Sequence, residues 1–126
     1  MTLEYLHEGS PDCPLIRLFA FTPLEATKLR TLFVSLSDGS CDEIKLDGLP
    51  FVEARRDVSL RLRRAEKDTG IRNVGSTTFD CDLTQEAWAE MADKTEPFCT
   101  LAEAGTYQWL NEDGNVSLLL SPSECW

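Results

Sequence analysis

Apolar and polar residues alternate along most of the chain, and in two places the period lengthens from two residues to about 3.6. Leu3, Tyr5 and His7 alternate with Glu4, Leu6 and Glu8, which predicts a first strand. Gly9-Ser10-Pro11-Asp12-Cys13-Pro14 is dense turn chemistry. Leu15 to Phe21 then reads as a second strand, with only Arg17 interrupting its apolar run, so the two strands form a hairpin. Ile44 and Leu46 alternate with Glu43, Lys45 and Asp47 in a short third strand. Val58, Leu60 and Leu62 alternate with Ser59, Arg61 and Arg63 in a fourth, at about 57–66. The stretch from Lys67 to Gly75 reads as a loop, and Thr77 to Leu83 as a fifth strand with Asp80 and Asp82 on its polar side.

The two helical stretches announce themselves by their caps. Thr22-Pro23-Leu24-Glu25 fits an N-cap, a proline in the first turn and the glutamate that closes a capping box. Leu29, Leu32, Phe33 and Leu36 follow on one face, and Gly39 supplies a left-handed stop, so a helix is expected over about 23–37. A second helix starts near Thr84, where Leu83 and Trp88 form a hydrophobic staple; Asp82 with Gln85 is a competing box two residues earlier. Trp88, Met91 and Ala92 form its inward face, and it must end before Pro97.

The last element is a hairpin, 106–111 with 115–121, turning at Asp113-Gly114 as a type I′ turn. That register sets Tyr107 against Leu120, Trp109 against Leu118 and Asn111 against Val116. Tyr107 and Trp109 then belong to the core, and Leu110 and Leu119 to the second face. The fold expected is α+β: a mostly antiparallel sheet of about six to seven strands with two helices packed on one face. No internal repeat, low-complexity tract or linker interrupts the chain, so residues 1–126 are expected to form a single domain.

Composition agrees with a folded chain: 126 residues, 42% hydrophobic and 27% charged. No apolar run approaches the roughly 20 residues of a membrane span. Met1-Thr2-Leu3-Glu4-Tyr5 lacks the basic and apolar regions of a secretory signal, so the cytoplasm is the expected compartment. The five cysteines are odd in number and contain no C-x-x-C, which in a reducing compartment reads as idle thiols. Charge changes the picture more. Residues 1–54 carry a net −5, residues 55–72 a net +4 and residues 73–126 a net −9, for −10 in all. That balance argues against nucleic acid and against an anionic membrane as partners, and favours encounter with something basic.

The basic stripe is the one candidate for ligand chemistry. Arg55, Arg56, Arg61, Arg63 and Arg72 could hold an anion, since arginine forks match carboxylates and phosphates. The competing reading pairs Arg61 and Arg63 with Asp80 and Asp82, provided that the fourth and fifth strands are antiparallel neighbours. Asp80-Cys81-Asp82 also resembles a hard-cation pair, but strand alternation produces such pairs by chance. His7 is the single histidine, with no Ser or Cys placed beside it, and no glycine-rich phosphate loop or nucleophile elbow occurs. Leu110, Leu119 and Trp126 are the candidates for a protein interface. No cofactor or metal is implied. The chain therefore reads as a non-catalytic protein-binding module, either self-associating or of an inhibitor or immunity type. The alternative is a binder of, or enzyme acting on, a small anionic ligand at the arginine stripe.

Overall fold

The computed structural model describes residues 1–8, 14–100 and 106–123. Helix α1 runs over Pro23–Asp38 and begins as its cap foretells. Thr22 Oγ1 accepts from the Glu25 amide at 3.2 Å, and Glu25 Oε1 accepts from the Thr22 amide at 3.0 Å. The other Glu25 oxygen lies 2.8 Å from the Met1 ammonium, so one side chain caps the helix and ties down the first strand. Gly39 closes α1 at φ 84°. Helix α2 runs over Gln85–Thr95, capped by Thr84 rather than by Asp82, and a 3₁₀ turn over Glu96–Cys99 follows it.

Nine strands are described: β1 (Thr2–Leu6), β2 (Leu15–Phe19), β3 (Glu43–Lys45), β4 (Glu53–Ala54), β5 (Ser59–Arg64), β6 (Gly70–Asn73), β7 (Thr78–Leu83), β8 (Gln108–Asn111) and β9 (Ser117–Ser121). They form two mixed sheets where one was expected, ordered β4-β1-β2-β9-β8 and β3-β5-β7-β6. The α+β class holds. The single sheet does not, because after each helix the chain crosses to the other sheet. Hairpin β1–β2 leads into α1, and β3 and β5 then join the four-stranded sheet; hairpin β6–β7 leads into α2, and β8 and β9 then join the five-stranded one. The order hairpin, helix, antiparallel pair thus occurs twice, a repeat of topology without a repeat of sequence. Each sheet joins a hairpin from one half to a pair from the other, through the parallel contacts β2–β9 and β5–β7.

β6 lies in the segment expected to be a loop. Four residues beginning with glycine carry no readable alternation, yet β6 is the outer antiparallel partner of β7. Because β6 takes that return path, β7 runs parallel to β5, where antiparallel pairing was expected. Two glycines make this corner possible. Gly70 has φ 79°, and a Cβ on it would collide with the Gly114 backbone; a Cβ on Gly114 would collide with Ile71. The loop at Gly114 is therefore pinned against β6, Val116 bridges to Ile71, and the tight two-residue turn gives way to a longer connection.

The last hairpin is also shifted. Gln108 pairs with Leu120 and Trp109 with Leu119, and a bulge at Leu110 brings Asn111 opposite Leu118. A shift of one residue exchanges the faces of a strand. Leu110 consequently enters the core, Tyr107 is 50% exposed and Trp109 is half-buried. Buried residues of both helices and of one face of each sheet form a single cluster. Phe33 stacks on Trp88 between the helices at 5.8 Å, and Tyr5 meets Phe79 between the sheets at 4.7 Å. No helix among the described residues is long and apolar enough to cross a membrane.

Candidate functional site

Strand alternation sends Leu60, Leu62, Phe79 and Cys81 into the core and leaves the outer face of the four-stranded sheet polar. Register then fixes which charges meet. Arg61 lies beside Asp80 and Arg63 beside Asp82 in the parallel pair, while Arg72 lies beside Asp80 from β6. Arg61 grips Asp80 with two parallel bonds, Nε to Oδ1 and Nη2 to Oδ2, each 2.8 Å. Arg63 Nη1 donates to Asp80 Oδ2 at 3.0 Å, and its Nε lies 3.4 Å from Asp82 Oδ1. Arg72 Nη2 donates to Asp82 Oδ2 at 2.8 Å. The pairing with Asp80 and Asp82 is thus present, although the strands run parallel.

This is not a loose surface ladder. Asp80 and Asp82 are buried, at 3% and 8% exposure, beneath three arginine side chains that each keep about 40% of their surface. The Arg61 hydrogen bond holds the Asp80 carboxyl below its usual range; burial opposes that effect, and the charges of Arg61 and Arg63 reinforce it. Asp82 Oδ1 is buried without a hydrogen-bond partner. Between the two acids, burial chiefly, with the charges of Asp82 and Asp113, pushes the Cys81 thiol far up, so this cysteine stays a neutral core residue.

The other two arginines of the stripe lie elsewhere. Arg55 lies 3.3 Å from Glu4 and sits over the Phe19 ring at 5.0 Å. Arg56 is exposed, in a left-handed conformation at φ 54°. Sequence reasoning passed over Arg17, which ion-pairs with Glu4 at 3.0 Å and covers Phe19 at 3.8 Å. A lone arginine inside an apolar run was the available signal. Leu119 shares that outer face of the five-stranded sheet and is buried, as is Leu110 in the core, so neither presents a surface for a partner. Trp126 falls outside the described residues. His7 is exposed, its Nδ1 3.3 Å from the Tyr5 hydroxyl. No group of three or more His, Cys, Asp or Glu among the described residues is arranged to hold a metal ion.

Two depressions stand out among the described residues. A cleft of about 730 Å³ opens where β5 and β7 end and α2 begins, lined by Arg64, Glu66, Asp68, Thr84, Gln85 and Glu86. Arg64 is committed there to Asp42. A second, of about 320 Å³, lies between α2 and the β8–β9 loop. Asp68, Glu90, Glu112 and Asp113 line it, with Lys94 as the one cation among its described lining residues. None of these four carboxylates has an ion pair among the described residues, nor do the exposed Glu86 and Asp93 of α2 and Glu96 of the turn after it. Comparison with protein families, curated proteins and solved structures finds no significant match to this chain.

Proposed function

We propose that the protein is a non-catalytic binding module, a single domain over residues 1–126, whose partner is a basic protein surface docking along α2. One observation carries this reading: the separation of paired from unpaired charge. Arg17, Arg61, Arg63, Arg64 and Arg72 each pair with an acid, while α2, the turn after it, the β5–β6 connection and the β8–β9 loop together present seven carboxylates with no ion pair among the described residues, with Lys94 among them. Such a surface repels itself, which costs folding stability, and it attracts an oppositely charged partner over several ångströms. An inhibitor or immunity-type role is the specific form of this reading, since blocking a basic site needs fast arrival more than chemistry.

The test is association with a lysine- and arginine-rich peptide, compared with an acidic peptide of equal length. The on-rate should fall steeply as salt shortens the Debye length from ~30 Å to ~8 Å. Glu90→Lys with Glu112→Lys should abolish binding while leaving the fold intact. Binding that ignores salt, or that survives the double reversal, would refute the reading.

A further inference from the structure

The outer face of the four-stranded sheet gathers Arg61, Arg63 and Arg72 over the buried Asp80 and Asp82, with the more exposed Glu43 of β3 at 3.7 Å from Arg61 Nη1. We propose that Arg61, Arg63 and Arg72, braced from below by Asp80 and Asp82, form a recognition surface for a small polyanion carrying two or more phosphate or carboxylate groups. This goes beyond the α2 groove and is independent of it.

A solvated ladder of ion pairs does not account for the arrangement. Exposed pairs place both partners in water and gain little. Here Asp80 and Asp82 are about nine-tenths buried, while the arginine side chains above them keep about 40% of their surface. Burying acids in this way is rarely the most stabilising choice, because apolar residues of similar volume do as well or better. What buried acids achieve is orientation: Arg63 and Arg72 are fixed by their inner edges and keep free N–H groups, while the Nη1 of Arg61 lies 3.7 Å from Glu43. Arg63 Nη2 and Arg72 Nε and Nη1 have no hydrogen-bond acceptor among the described residues. Arg63 is divided between Asp80 and Asp82 and leaves Asp82 Oδ1 without a hydrogen bond, so the network is unsaturated on both its donor and acceptor sides.

Strand geometry sets the spacing of the ligand's charges. Arg61 and Arg63 are two residues apart on one strand, roughly 7 Å, and Arg72 is two strands away, roughly 10 Å. One oxyanion cannot reach all three, whereas a linear polyphosphate or a polycarboxylate can. Arginine forks suit both, each offering paired N–H donors to two oxygens.

The probes are tripolyphosphate and citrate, added to the full chain. The side-chain Nε–Hε signals of Arg61, Arg63 and Arg72 should move together in a saturable titration with at least one probe, and that probe should raise the melting temperature. Which probe acts separates phosphate from carboxylate chemistry. Arg72→Gln should weaken the response at least ~10-fold, the loss expected with one charge-assisted hydrogen bond, whereas Lys67→Gln, at an exposed cation away from this face, should not. Unmoved signals from the three arginines with both probes overturn the proposal. So does a response that Arg72→Gln leaves intact. The titration of the unmodified chain decides the matter even if a variant folds poorly.

Discussion

The carboxylate of Asp80 is held by two guanidiniums at once while lying almost out of reach of water. Replacing it with asparagine keeps the shape and removes the charge that orients Arg61 and Arg63. We expect Asp80→Asn to cost about 2 kcal/mol, less than a fully buried pair because the guanidiniums are partly solvated. The pH dependence follows from the direction of the shift. Asp80 is depressed in the folded state, so its contribution is complete above the unfolded value of about 3.9 and is lost as pH falls through the folded one. The gap in stability between parent and variant should be constant from about pH 5 to pH 8 and close below about pH 4. Denaturant melts across that range measure it; a gap that closes instead near neutral pH would remove the charge from the explanation. Trp88 is the second residue of consequence, stacked on Phe33 and donating its Nε1 proton to the Arg63 carbonyl at 3.1 Å. Trp88→Phe drops the bond and, at a fully buried site, also removes one ring of the indole, and should lower stability by at least about 2 kcal/mol in the same melts.

Elements whose signals are local were legible in the sequence, and elements defined by distant contacts were not. α1 was legible because its proline, capping box and glycine stop lie within one stretch of chain. The outer-face charges were legible too, since alternation alone assigns Arg61, Arg63, Asp80 and Asp82 to one side of their strands. β6 was not: Gly70-Ile71-Arg72-Asn73 becomes a strand only because β7 offers it an edge. Nor was the bulge at Leu110, which follows from the Gly114 loop being held against β6 rather than from residues of its own hairpin. That corner gives a sharp prediction. Gly70→Ala meets both a left-handed φ and the Gly114 backbone, and should cost at least about 2 kcal/mol. Gly48→Ala, with ordinary φ and no neighbour closer than 4.0 Å, should cost less than about 1 kcal/mol. Urea midpoints of the two variants compare them directly; equal midpoints would mean that the corner yields at little cost.

At the scale of the molecule, the two halves are interleaved. The β1–β2 hairpin lies beside β9 and the β6–β7 hairpin beside β5, so neither sheet is complete within one half. A chain cut between Glu66 and Lys67, in the exposed connection from β5 to β6, should therefore yield two fragments that each lack a cooperative unfolding transition. Mixed in equal amounts they should regain one, visible by circular dichroism. A fragment that melts cooperatively alone would show that one half is sufficient.

β9 is the last strand among the described residues and lies second from the edge of its sheet, between β2 and β8. During synthesis β2 emerges about a hundred residues before the strand that will cover its open side, so its unpaired amides and carbonyls must wait in a nascent chain. Such an edge invites pairing with a neighbouring chain. Production of this protein in a cell is thus expected to be more sensitive to pauses in translation between β2 and β9 than its final stability suggests, and chains that stop short of β9 should be found with chaperones or in aggregates rather than free.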